Sequence, residues 1–189
     1  MTKLLLFLLL ITPTALYGQT IESRVAKFEK PKGYKIQYDK FKDRTLILSP
    51  IVDLGDNNKW VDSALRWQAQ IAFDGKEPTG EVSYFLIFLS DREEPNFIND
   101  RGAIALVGDE RMVLKEESYE TQFNSAGYLL GTLIRRASYS EGLVYRITLE
   151  QLTKFSPATK IEFQVGNVEG FVNKDKLLIF KNFAGLLKH

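Results

Sequence analysis

The chain has 189 residues, 25 basic against 24 acidic, with 44% apolar and 12% aromatic residues, one histidine and no cysteine. That length suits one domain with a substantial core, and the apolar content excludes a disordered chain. The near-balanced charge gives no electrostatic footprint for nucleic acid or an anionic membrane, and the missing thiol excludes disulfides and thiolate nucleophiles.

Residues 1–18 pass from a charged start at Lys3 through an apolar stretch at 4–11 to a turn-prone exit at Pro13 and Gly18. This is the order of a cleavable secretory signal. The apolar run falls well short of the roughly twenty residues of a spanning helix, so no stable membrane anchor is expected after cleavage. Cleavage is expected after Gly18, with Ala15 as the alternative small residue. Residues 19–189 are then a single β-rich domain whose formal charge, without Lys3, is zero. Export without cysteine points to a bacterial protein, periplasmic or secreted, since small exported domains of eukaryotes are usually disulfide-stapled. The chain also lacks an Asn-x-Ser/Thr glycosylation acceptor.

Beyond the signal the dominant period is two. Tyr34, Ile36 and Tyr38 alternate with Lys35, Gln37 and Asp39, which predicts a strand with one buried face. Residues 44–49 are its hairpin partner. At 65–73 the inward set is Leu65, Trp67, Ala69, Ile71 and Phe73, and the wet set is Arg66, Gln68 and Gln70. Residues 82–89 are apolar on both parities, which predicts a central strand covered on both faces. Further strands are expected at 103–107, 111–115, 119–123, 129–138, 143–149 and 161–165. Turns are expected at 108–109, 124–127 and 140–142.

Two helices are expected near the C-terminus. Thr148 and Gln151 have capping-box spacing before Leu149, Leu152 and Phe155. Asn173 precedes Leu177, Phe180, Phe183, Ala184 and Leu187 at helical spacing. The expected fold is mainly β: an antiparallel β-sandwich or barrel-like domain with one short helix and a C-terminal amphipathic helix packed on it.

Catalytic kits are mostly missing. The one histidine is His189, the last residue, where fraying denies it a fixed geometry. Histidine-dependent triads, zinc sites and haem ligation are therefore not expected. Residues 73–80 carry Gly75, Lys76, Thr79 and Gly80 in the wrong order for a phosphate cradle and join two strands. Paired carboxylates leave no local spacing to read; Asp53, Asp56, Asp91, Glu93, Glu94, Asp109, Glu110, Glu116, Glu117 and Glu120 all fall in turns or at strand ends.

Asp53 and Asp56, with Asn57 and Asn58, offer the hard oxygen ligands that calcium takes, though not in the EF-hand order. The competing reading is an ordinary turn before Trp60. No cofactor is expected; calcium at this loop is the one alternative. Tyr34, Tyr38, Trp67, Phe73, Tyr145, Phe163 and Phe171 share parity with aliphatic residues and are expected in the core, which counts against an aromatic sugar platform. Trp60 and Tyr139, in less regular surroundings, are the exposed candidates. The wet set Arg66, Gln68, Gln70, Arg146, Glu162 and Gln164 is either a plain solvated face or a recognition surface anchored by Arg66 and Arg146.

The leading expectation is an exported non-catalytic module that recognises a protein or glycan, with Arg66, Arg146 and Trp60 as binding residues and no nucleic-acid partner. The alternatives are a carboxylate-dependent hydrolase of an envelope polymer and a structural component assembling through a β edge.

Overall fold

In the computed structural model, residues 20–30, 32–55, 65–129 and 132–186 are described. Alternation at the residue level builds an antiparallel sheet that curves around two helices. Strands β1 (Lys35–Asp39), β2 (Arg44–Leu48), β3 (Val52–Asp53), β4 (Arg66–Asp74) and β5 (Val82–Arg92) come first. They are followed by β6 (Ala103–Val107), β7 (Glu110–Asn124), the small hairpin β8 (Gly127–Leu129) and β9 (Thr132–Arg135), and β10 (Ser138–Ile147). Helix α1 (Ile21–Val25) precedes the strands; α2 (Leu149–Phe155), β11 (Lys160–Val165), β12 (Val168–Asn173) and α3 (Lys174–Leu186) complete the order.

The main sheet runs β1-β2-β4-β5-β10-β7-β6-β11-β12, with β3 also on β4. It closes on itself through β3. Leu54 N–H donates to the Leu65 carbonyl at 2.9 Å beside β4, and Gly55 exchanges two bonds of 2.9 and 2.8 Å with Phe171 of β12. The closure needs Gly170, because a Cβ there would lie 2.6 Å from the Leu54 side chain and 2.7 Å from the Gly55 oxygen. The expected barrel-like β fold is therefore observed, with its C-terminal helix packed on it.

A chain of rings fills the interior. Trp67 stacks on Phe180 of α3 at 5.2 Å, and Phe180 meets Phe155 of α2 at 5.2 Å. Phe163 then links Phe155 to Phe88, and Phe88 meets Tyr145. Burial of one such side chain stabilises by about 1.5–3 kcal/mol, so the inward parity dominates the fold. The capping box of α2 forms as expected, with Gln151 N–H donating to Thr148 Oγ1 and Thr148 N–H to Gln151 Oε1. Leu177, Phe180, Phe183 and Ala184 are the buried stripe of α3; Leu187 lies outside the described residues. Among the described residues no helix is long and apolar enough to cross a membrane.

Several expectations are corrected. The two strands expected at 111–115 and 119–123 are one strand, β7, whose pairing with β10 shifts between Val144 and Tyr145 and leaves Glu117 as the extra residue of a bulge. The turn expected at 140–142 lies inside β10, whose strand stops at Ile147 because Thr148 caps α2. The strand expected at 129–138 is split among β8, β9 and the start of β10. Helix α1 was not foreseen, being too short for a periodic signal; it buries Ile21 and Val25. Tyr38 is 41% exposed rather than core. Phe171 sits opposite Glu162 on the outward parity and is only half-buried.

Candidate recognition surface

The outward face of β4, β5 and β10 is assembled by register. Arg66 faces Leu89 and, one strand on, Gly142; Gln68 faces Ile87 and Val144; Gln70 faces Phe85 and Arg146. Strand β5 is central, as expected. It is not fully covered on both faces: Tyr84, Leu86 and Phe88 are buried inward, while Ile87 and Leu89 are only half-buried on the outward side. Val144 stands beside Ile87, and Gly142 places no side chain over Leu89. The result is an apolar strip rimmed by Arg66, Gln68, Gln70 and Arg146, the layout of an interface with an apolar centre and polar rim.

Arg66 and Arg146 are on the same face but not adjacent. Four residues along and two strands across separate them, about 13 Å by about 10 Å. Arg146 is held in place: its Nε and Nη2 donate to the two Glu117 oxygens at 3.2 and 3.1 Å, and its guanidinium lies 5.5 Å from the Phe85 ring centroid. The bulge supplies that acid. Gln68 Nε2 donates to the Ser49 carbonyl at 2.6 Å, which fixes the side chain along the face. Glu162 and Gln164 do not join this group, because β7 and β6 stand between β10 and β11.

Gln70 also borders a groove of about 650 Å³ over the β1–β2 turn, lined by Gln37, Tyr38, Asp39, Phe41 and Arg44 among others. Phe41, at the tip, is 89% exposed, with Lys40 Nζ 5.1 Å from its ring centroid. Asp39 accepts from the Phe41 and Lys42 amides, and Tyr38 donates to Asp43 at 2.7 Å. That last bond is the first cause of a Tyr38 phenol pushed above its ordinary value. Sequence parity missed this groove because Tyr38 and Phe41 stand beyond the reach of the core.

Asp53 stands opposite Arg66 across β3 and β4, and its main-chain carbonyl accepts from Lys176 Nζ. Two cations therefore neighbour the one described member of the expected calcium loop. Asp56, Asn57, Asn58 and Trp60 lie outside the described residues. Among the described residues no group of three potential His, Cys, Asp or Glu ligands gathers.

Among the described residues the buried acid is Glu141, 2% exposed, which was not among the candidates. Its Oε2 accepts from the Asn96 amide at 2.6 Å, and its Oε1 accepts from the Phe97 amide at 3.0 Å and from the Tyr119 hydroxyl at 2.9 Å. Burial pushes the Tyr119 phenol up, and the bond to Glu141 adds to it. Glu116 pairs with Arg101 at 3.3 Å, and Tyr145 donates to the Arg101 carbonyl at 2.6 Å. Three donors occupy the Glu141 carboxylate. Glu141 faces Thr121, so Glu116 lies several residues further along β7. That is about 13 Å or more of strand, against the roughly 5–9.5 Å between the acids of a glycosidase pair. The arrangement anchors residues 93–102 and leaves little for acid–base chemistry.

The chain matches no family model, no curated protein and no solved structure.

Proposed function

We propose that the protein is a non-catalytic module of the cell envelope or extracellular space that recognises another protein through the outward face of β4, β5 and β10. The observation that carries this is the half-buried strip of Ile87, Leu89 and Val144 between two arginines. A purely solvated sheet face alternates apolar-in and polar-out, and β5 breaks that rule on the outward side. Aliphatic groups there gain about 25 cal/mol per Å² when a partner removes them from water, and an arginine steadied by Glu117 and Phe85 loses less entropy on binding than a free one.

The test is affinity capture from native envelope extract with the full chain, comparing Ile87→Lys and the Arg66→Ala/Arg146→Ala double variant with Gln164→Ala on β11. A stoichiometric partner is expected to bind the parent and Gln164→Ala and to be lost in the other two, all with the parent's circular dichroism. A partner retained by every variant sinks the proposal. The β1–β2 groove favours a second reading, a glycan stacked on Tyr38 and Phe41; binding lost only in Phe41→Ala would select it.

A further inference from the structure

A second surface runs along β7, independent of the face just described. Strand β6 pairs with residues 110–114 of β7, while β10 pairs with residues 115–124. Among the described residues, 116–124 therefore have a strand on one side only. The side chains of Ser118, Glu120, Thr121 and Gln122 are exposed, and Phe123 is 57% exposed. An edge of this kind presents alternate amides and carbonyls that a further strand can pair. From 118 to 124 it extends about 20 Å. Another open edge, β1, is short and carries Lys35 and Asp39 at its two ends, which is how exposed edges are usually guarded. Residues 118–124 contain no lysine, arginine or proline, and Glu120 is their one charge.

We infer that this edge pairs with the same edge of a second copy of the chain, about a two-fold axis through Thr121. Antiparallel pairing with that centre sets Thr121 against Thr121, Glu120 against Gln122, Tyr119 against Phe123 and Ser118 against Asn124. Each of these is a favourable or neutral cross-strand pair: a carboxylate meets an amide and a ring meets a ring. The neighbouring registers are worse. Centring on Glu120 puts two carboxylates face to face, and centring on Gln122 shortens the overlap to five residues. The interface is isologous, so it closes at two copies and uses up the β7 edge on both. It also carries the outward faces of two barrels into one continuous sheet surface, doubling the strip of Ile87, Leu89 and Val144 without depending on what binds there.

The chain has no cysteine, which makes the test direct. The full chain is expressed, purified and examined by sedimentation up to about 1 mM, the weak end of specific association. Dimers are expected to increase with concentration and to vanish in Thr121→Lys, which sets two cations opposite each other at an exposed position. Under mild oxidation Thr121→Cys is expected to give a covalent dimer, and Ser118→Cys, which faces Asn124, is expected to stay single. A parent that is monomeric throughout overturns the inference, as does a dimer that survives Thr121→Lys or crosslinks equally through both cysteine variants.

Discussion

Glu141 shows how a single side chain can hold a loop. It lies between Ser140 and Gly142, a polar stretch that resembles a turn, yet it is inside β10 with its carboxylate taking two amides and a hydroxyl from residues 96, 97 and 119. Removing the acceptor leaves the buried Phe97 amide and the part-buried Asn96 amide and Tyr119 hydroxyl without this partner, at up to about 1–3 kcal/mol each. Glu141→Ala is therefore expected to lower unfolding stability by about 3 kcal/mol or more, and Glu141→Gln by less, because the amide oxygen still accepts. Urea titration reads both changes, and hydrogen exchange at Asn96 and Phe97 should quicken in the alanine variant. A loss below about 1 kcal/mol in Glu141→Ala would show that residues 93–102 are held by something else. Nothing local in the sequence marks this acid, because its burial depends on residues more than forty positions away. Arg66, Gln68 and Gln70 were legible as an outward set because their strand alternates cleanly. Ile87 and Leu89 were not, since both parities of β5 are apolar and only the pairing shows which side lacks cover.

Among the elements, β4, β5 and α3 follow from periodicity, and α2 from its capping residues. Strand β7 does not, because the polar residues 115–118 interrupt its alternation at the bulge that gives Arg146 its Glu117 partner. Barrel closure is equally hidden: it rests on β3, two residues long, and on a backbone approach that spares no room at Gly170. Gly170→Ala must push Leu54 or the Gly55 carbonyl aside, and overpacking of this type costs about 1–3 kcal/mol. Gly80→Ala, with open space around the new methyl group, is expected to change stability by less than about 0.5 kcal/mol. Thermal and denaturant midpoints of the pair check this, and equal midpoints would mean that the Gly55–Phe171 bridge yields without cost.

At the scale of the whole molecule, several tyrosines set an alkaline limit. Burial pushes the phenols of Tyr34, Tyr84 and Tyr145 up; at Tyr145 the Glu116 and Asp100 carboxylates push further and Arg101 opposes them. Unfolded phenols ionise near about pH 10, so the stability these groups contribute is fully present below that pH and is lost as pH rises towards their higher folded values. Tyr145→Phe forfeits the bond to the Arg101 carbonyl, about 1 kcal/mol at neutral pH. Its stability should nevertheless decline less steeply than the parent's above about pH 10. Urea midpoints measured across that range test the slope, and identical slopes would remove Tyr145 from the account. By itself the sequence determined the β class, the inward parity of β4, the two C-terminal helices and the wet arginine-bearing set, because these depend on neighbours within a few residues. Tertiary structure alone decided the closure through Gly55, the burial of Glu141, the half-covered strip on β5 and the open edge of β7. Each of those depends on which distant strand stands alongside and where its pairing stops, and a local pattern of apolar and polar residues carries no record of that.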